Sequence, residues 1–465
     1  MNNSEHGVPV CIAYIGGGSL NWAPKLMADL AQDTRLRAEV RLYDINAEAA
    51  ARNAKMGERF AAVSEGTPTK YVVAGSLQEA LTGADIVVVS ILPGQFSDMA
   101  QDIEIPASYG ISQAVGDTVG PGGFVRALRA IPMLTEIGRA IEAFTPHAFV
   151  CNLTNPMSVL TGALYRAFPE IKCWGECHEV TKLRKQVAWI ANQREGRTRW
   201  SHRDVQVNVL GINHFTFVDQ IALNGDDMLP AYQDFAKRHI NSGWVETEPH
   251  PDDEHEWYFG DRSRVKFDLM RRYGIPAAAG DRHLAEFVPH NVYLADPAGW
   301  SFGLTPVDYR VRYQEQKREN AADLVSGKKP PQPARSDEAL VDQIAAVMGL
   351  GTYISNVNLP NKGQMIGLPE NAIVETNAVF SGMGITPMVA GKLPEELHKI
   401  VADHVGRQTA LLDAVTSSDF DVLFDLFRSD PLVAPLDDSR ARALYRDMVT
   451  ATAAHLPKEL VEEAA

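Results

Sequence analysis

The stretch that most restricts the fold is Pro9 to Ile15, an apolar run that stops abruptly at Gly16-Gly17-Gly18-Ser19 and resumes with helical spacing from Trp22 to Leu30. A strand, a glycine turn and a helix in that order belong to α/β architectures. Gly16 and Gly18 match the first two glycines of a GxGxxG turn, where a missing Cβ lets backbone N–H groups approach a pyrophosphate at a helix N-terminus. The third glycine position holds Asn21, a departure. Taken alone, a plain strand-to-helix turn would explain the pattern as well.

The next strand shifts the balance. Val40-Arg41-Leu42-Tyr43 ends in Asp44, 26 residues after Gly18, where a carboxylate accepts both ribose hydroxyls and repels a 2′-phosphate, favouring NAD over NADP. A third strand (Tyr71–Ala74) and a short helix (Ser76–Leu81) follow. Ala84 to Ile91 is a nearly continuous apolar run, as expected of a parallel strand covered on both faces. A helix over Val125–Phe144 leads to the strand Ala148–Asn152, and Ile171–Trp174 is one more. The expected fold is an N-terminal Rossmann-like doubly wound parallel sheet over residues 1–203, with an α+β domain over 204–465 for substrate binding and oligomerisation.

The ends of these strands carry the chemistry. Asn155 of Thr154-Asn155-Pro156-Met157 lies where ligands of open α/β sheets bind, and suits a nicotinamide-side or substrate role unless the motif is a bare turn. The last strand delivers Cys177-His178 to the same edge. A thiol beside an imidazole suggests a ligand or acid/base site, against the alternative of ordinary core packing. Between them, the segment from Gln113 to Gly123 is rich in glycine and embeds Asp117; it reads as a backbone-lined loop, with Arg126 just beyond it. Arg129 reads equally as a solvated helix residue.

In the second half the period changes to two. Val205–Gly211 and Phe215–Val218 predict a hairpin with Asn213 and His214 near its bend. Residues 240–262, including Pro251, read as an acidic surface loop. Asp281, His283 and Glu286 have a spacing that would bring them to one face of a helical turn, although Asp281 would serve equally as a helix N-cap. A helix (336–348), strands near Ile354–Leu359 and Ile373–Phe380, and helices over 393–414, 419–427 and 439–455 complete the chain.

Length and charge bound the rest. A chain of 465 residues exceeds the size of one hydrophobic core. The net charge of −15 argues against nucleic acid and anionic membranes as partners. Four cysteines with no zinc-type partner pattern, and a polar Met1 to Val8 with no apolar signal, point to reduced thiols in a cytoplasmic protein.

The ordered set Gly16-Gly17-Gly18-Ser19, Asp44, Gly120-Pro121-Gly122-Gly123 with Arg126–Pro132, Asn155-Pro156-Met157, Cys177-His178 and Asn213-His214 resembles glycoside hydrolase family 4. These NAD- and divalent-metal-dependent glycosidases are distant relatives of lactate and malate dehydrogenases. They are an exception to hydrolysis by paired carboxylates. Cys177-His178-Glu179-Val180 looks like the signature of the family's α-galacturonidase branch.

The resemblance implies hydrolysis of α-galacturonides. NAD takes hydride from C3 of the sugar, a base removes the C2 proton, the glycosidic oxygen leaves, water adds and the hydride returns. It implies Gly16, Gly18, Ser19, Asp44 and Asn155 as cofactor residues, and Cys177 and His214 as ligands to manganese or another divalent metal. Thiolate and imidazole form a soft set that would also suit zinc. His178 holds the position of an Asp that acts as acid to the leaving group in 6-phospho-α-glucosidases. The C2 base is assigned to Asp281, with Tyr273 as the alternative. Asn155, Asp117, Arg126 and Arg282 would meet substrate, and either arginine would meet a uronate carboxylate.

Phospho-specific members carry an Arg where this chain has Leu92-Pro93-Gly94, which disfavours a 6-phosphosugar. The alternatives are a family 4 α-glucosidase or α-galactosidase acting on neutral sugars, or a simple NAD-dependent sugar-acid dehydrogenase. The resemblance also implies a homodimer or homotetramer.

Overall fold

Strand β1 (Val8–Ile15) is the axis of the molecule, because its apolar residues are covered on both faces. Ile12 and Tyr14 join one core and Ala13 and Ile15 another, the alternation expected when consecutive side chains point to opposite faces. The structure is a computed structural model that describes residues 7–250, 252–415 and 419–464. The expectation drawn from the polar N-terminal residues falls largely outside them, as does Pro251.

Beside β1 lie β2 (Leu36–Tyr43), β3 (Lys70–Val73), β4 (Ile86–Val89), β5 (Phe149–Asn152) and β6 (Lys172–Gly175), all parallel. All four residues of β4 are fully buried, which is why its sequence is apolar without alternation. The order β6-β5-β4-β1-β2-β3 makes this a doubly wound parallel sheet, the class anticipated from the sequence.

A separate antiparallel sheet holds β7 (Val205–Ile212), β8 (Phe215–Leu223) and β9 (Asp226–Asp227). The C-terminal strands β10 (Tyr353–Pro360), β11 (Ile373–Ser381) and β12 (Gly384–Pro387) do not join it. They extend the parallel sheet past β6 in antiparallel fashion, giving nine strands in the order β12-β11-β10-β6-β5-β4-β1-β2-β3. The hydrogen-bonded sheet therefore contains strands from both sides of residues 203 and 204. Among the described residues, no helix is long and apolar enough to cross a membrane.

Three local expectations need correction. Gly120–Gly123 are not loop but the first turn of the helix Gly120–Phe144. Pro121 suits a first turn, where its missing N–H would have had no partner. A Cβ on Gly123 would stand 2.5 Å from the Thr118 carbonyl carbon, so the approach of the preceding loop, rather than flexibility, explains that glycine. Second, Glu254–Phe259 inside the acidic segment is a short helix, capped by Asp253. Third, Arg129 is not solvated: it donates two buried hydrogen bonds to Asp102 of the helix Phe96–Ser108, at 2.9 and 2.5 Å.

Candidate active site

The carboxyl ends of the parallel strands open into one cavity of about 1870 Å3. Gly16, Gly18 and Asp44 line one end; Asp117, Cys177, His178, His214 and His283 line the other.

At the glycine end the fit to a dinucleotide is steric. Gly16 has φ +89°, and a Cβ there would fall 2.0 Å from the Ser90 carbonyl oxygen. Gly18 donates its N–H to Asp44 Oδ2 at 2.9 Å, so one carboxylate both shapes the turn and faces the cavity. Ser19 lines the same end, and its Oγ accepts the Trp22 N–H at 3.2 Å. Asn21, in the third glycine position, accepts a hydrogen bond from Lys317. Sequence reading missed Asn53, whose buried amide binds the carbonyls of Gly17 (2.8 Å) and Ser19 (2.7 Å) and holds the turn from behind.

At the middle of the cavity Arg126 donates from Nε to the Asn155 carbonyl at 3.1 Å. Asn155 donates from Nδ2 to Asp117 Oδ2 at 3.3 Å, while its buried Oδ1 has no partner. Such a free acceptor suits a ligand's N–H or O–H group.

The other end is built by the two-residue bend between β7 and β8. His214 sits in it at φ +66°, in the left-handed conformation, and its side chain lines the cavity. Asn213 is tied by Nδ2 to Glu375 Oε2 of β11 at 3.2 Å, so the late strands brace the bend. Thr118 donates its hydroxyl to Asp117 Oδ1 at 2.7 Å, and its oxygen lies 2.8 Å from His214 Nδ1. That chain makes Nδ1 the protonated nitrogen and leaves the Nε2 lone pair available to a cation.

Ligand atoms of Asp117, His214 and His283 all lie within 4.8 Å of one another. Cys177 lines the same cavity but is not one of these three. Burial pushes its thiol well above the ordinary value, helped by Glu375 and Glu179, so a thiolate there needs a cation beside it. Burial and the neighbouring His283 hold His214 down at about 3. Burial likewise lowers His283, against the pull of Glu179 and Asp117. Asp117 behaves oppositely: burial pushes it up, but His283, His214 and Arg126 outweigh that and hold it ionised. Glu179 is also held low, by His283, His178 and His214 against its burial. It accepts the Gly280 N–H at 2.8 Å. His178, partly exposed against Trp22, lies 3.9 Å from Glu179 and 3.7 Å from Glu338.

Asp281, Tyr273 and Glu286 are not brought to this cluster. Asp281 accepts the Val265 and Lys266 N–H groups at 3.1 and 3.0 Å, fully buried, and caps the helix Arg264–Tyr273. Tyr273 stands at the far end of that helix. Glu286 turns to the loop before Gly120, accepting from Val115 N at 2.6 Å. The expected shared face fails because the α-turn Asp281–Leu284 tightens into the 3₁₀ turn Ala285–Phe287, which rotates Glu286 away. Arg282 and His283 do reach the cavity.

A Rossmann-type sheet whose strand ends meet a histidine and carboxylate cluster, with one histidine brought in by a second sheet, defines an α/β enzyme. The chain belongs to family 4 of the glycosyl hydrolases: Family 4 glycosyl hydrolase matches residues 11–193, and its C-terminal domain matches 209–433. It is 42% identical over 452 residues to an alpha-galacturonidase of Thermoanaerobacter italicus, covering 96% of this chain and 97% of the relative. A Bacillus subtilis structure solved under the name glucosidase superposes with a TM-score of 0.90 at 42% identity, covering 95% of this chain and 100% of that one. A 6-phospho-alpha-glucosidase from gut microorganisms, solved with NAD and Mn2+, shares the fold at TM-score 0.81 and 18% identity over 97% and 99% of the two chains.

Proposed function

We propose that this enzyme hydrolyses α-galacturonides and releases galacturonate, using NAD and a divalent metal, in the cytoplasm. The observation that carries this reading is 42% identity to an alpha-galacturonidase along nearly the whole of both chains. The cationic side chains Arg126, Arg282 and Arg310 in the cavity wall support an acidic sugar. The four free cysteines support a reducing compartment.

When bound, NAD supplies a hydride acceptor for C3 of the sugar, and the divalent cation polarises the neighbouring oxygens. Gly16, Gly18, Asp44 and Asn155 would hold the dinucleotide. Cys177, His214 and Asp117 would hold the cation, with the Thr118 hydroxyl fixing the His214 tautomer.

The protons belong to two other histidines. His178, 3.9 Å from Glu179 and 3.7 Å from Glu338, donates to the departing glycosidic oxygen. His283 accepts the C2 proton in place of Asp281, which lies outside the cavity. A neutral imidazole whose charged form Glu179 and Asp117 would stabilise is a better base than either ionised carboxylate. The exposed apolar side chains of Ile354, Ile366, Met383 and Val389, on or near the added strands, suit burial in a dimer or tetramer.

A neutral-sugar glycosidase is the second reading, favoured by the glucosidase name of the Bacillus subtilis structure. The test is an aryl-glycoside panel with NAD, Mn2+ and a thiol reductant, followed for phenol release and for NADH. Cleavage of the α-galacturonide without net NADH is expected. Cleavage confined to neutral glycosides would overturn the substrate, and stoichiometric NADH would make the protein a dehydrogenase.

A further inference from the structure

Arg310 is the one cavity-lining arginine whose guanidinium makes no hydrogen bond to the protein among the described residues. It projects from the helix Val307–Ser326, and both its Nε and Nη2 are buried without a partner. Its neighbours are differently placed. Arg282 donates from Nε to the Gly303 carbonyl at 3.2 Å, and from Nη2 to the Ala114 carbonyl at 2.7 Å and to Thr305. Arg126 holds the Asn155 carbonyl. Neither Arg282 nor Arg310 has a carboxylate within 4.0 Å among the described residues. Two buried cations thus lie over the same ring, Phe259, at 5.0 Å for Arg282 and 5.4 Å for Arg310.

This patch adjoins the reacting cluster. Arg282 precedes His283, whose ring stacks on His214. The helix carrying Arg310 then runs toward the glycine end, where Arg318 also lines the cavity. One turn after Arg310, the Gln314 side-chain oxygen is a further buried atom without a partner. Unpaired buried charge is costly and is ordinarily matched by a counter-ion. Here the protein provides none within ion-pair distance.

We propose that Arg310 is the specificity-determining residue of this enzyme and grips the uronate carboxylate through its guanidinium fork, with Arg282 adding charge across Phe259. The inference rests on the α-galacturonide reading and deepens it. The Nε and Nη2 edge, which has no partner in the protein, matches the two oxygens of a carboxylate, and Arg310 already lines the cavity. An ester or a primary alcohol at the same carbon leaves the charge unpaired, so the site selects against neutral sugars as well as for acidic ones.

The test uses the protein loaded with NAD and Mn2+, and calorimetric titration with galacturonate and with its methyl ester. The wild type is expected to prefer the acid by about 10- to 100-fold, the range of a charged hydrogen-bonded contact. Arg310→Gln should abolish that preference while still binding the ester, which reports an intact sugar site. Arg310→Lys, keeping charge without the fork, should retain part of it. An unchanged preference in Arg310→Gln, or equal weakening of acid and ester, overturns the assignment to Arg310 alone. A wild type with no preference for the acid defeats the α-galacturonide reading itself.

Discussion

His283 lies on His214 with ring centroids 3.7 Å apart and planes inclined by 34°. Two imidazoles this close cannot both be charged, and burial lowers both. The stack therefore resists double protonation, leaving one ring to hold a cation and the other to take a proton. His214→Ala should weaken Mn2+ binding by more than about 100-fold, since losing even a partner of a ligand costs about 10- to 100-fold. His283→Gln should keep Mn2+ and lose about 10²- to 10⁴-fold in kcat. It should also stop deuterium entering C2 of the product from heavy water. Metal loss in His283→Gln would instead make His283 a ligand.

Asp44 has two tasks that one substitution separates from the rest of the site. Its Oδ2 accepts the Gly18 N–H at 2.9 Å and its Oδ1 the Asn46 N–H at 2.8 Å. Asp44→Ala should weaken NAD binding by roughly 10-fold, about the worth of a charged hydrogen bond. NADP should lose less, because repulsion of its 2′-phosphate disappears. Binding titrations with both nucleotides measure the ratio; an unchanged ratio would mean that Asp44 does not face the ribose.

The sequence was most informative where periodicity stops. Gly16, Asp44, Asn155 and Cys177 stand at the ends of apolar runs, and all line the cavity. His214 was legible as the bend between two alternating segments. Contacts across the chain were not legible. Thr118 and His214 are 96 positions apart, and no local pattern announces that their side chains meet. Asp281 misled because a buried helix cap and a general base present the same residue type. The N-terminus of the helix Arg264–Tyr273 has no side-chain cap from Ser263, so a carboxylate from 16 residues away meets that need. Gly120–Gly123 misled because low helix propensity yields to close packing.

The pair Asp102 and Arg129 predicts a large stability effect away from the chemistry. Their side chains are 1% and 0% exposed, and they join the helices Phe96–Ser108 and Gly120–Phe144. Arg129→Met leaves a buried carboxylate unpaired and should cost about 3–5 kcal/mol in urea unfolding. Adding Asp102→Leu should recover most of that loss, because two apolar groups need no partner. A single variant as stable as the wild type would show that the pair contributes nothing.

Glu286 gives a pH dependence with a definite sign. It is 1% exposed, and burial pushes its carboxyl up to about 7 although Val115 and Gly116 donate backbone N–H groups to it. In the unfolded chain a glutamate titrates near about 4.3. Between those values the native state binds more protons than the unfolded state, so this group's contribution falls as pH rises, by up to about 1.4 kcal/mol per unit. Glu176 and Glu375, pushed by burial to about 8 and about 7, slope the same way, so the wild-type curve alone does not isolate Glu286. Glu286→Gln keeps an acceptor oxygen for the Val115 N–H and cannot titrate. Urea unfolding at pH 5, 6 and 7 should therefore show the wild type losing stability relative to the variant at each step. Parallel curves would mean that Glu286 takes up no proton on folding, and that the loop before Gly120 is held by an ionised carboxylate throughout.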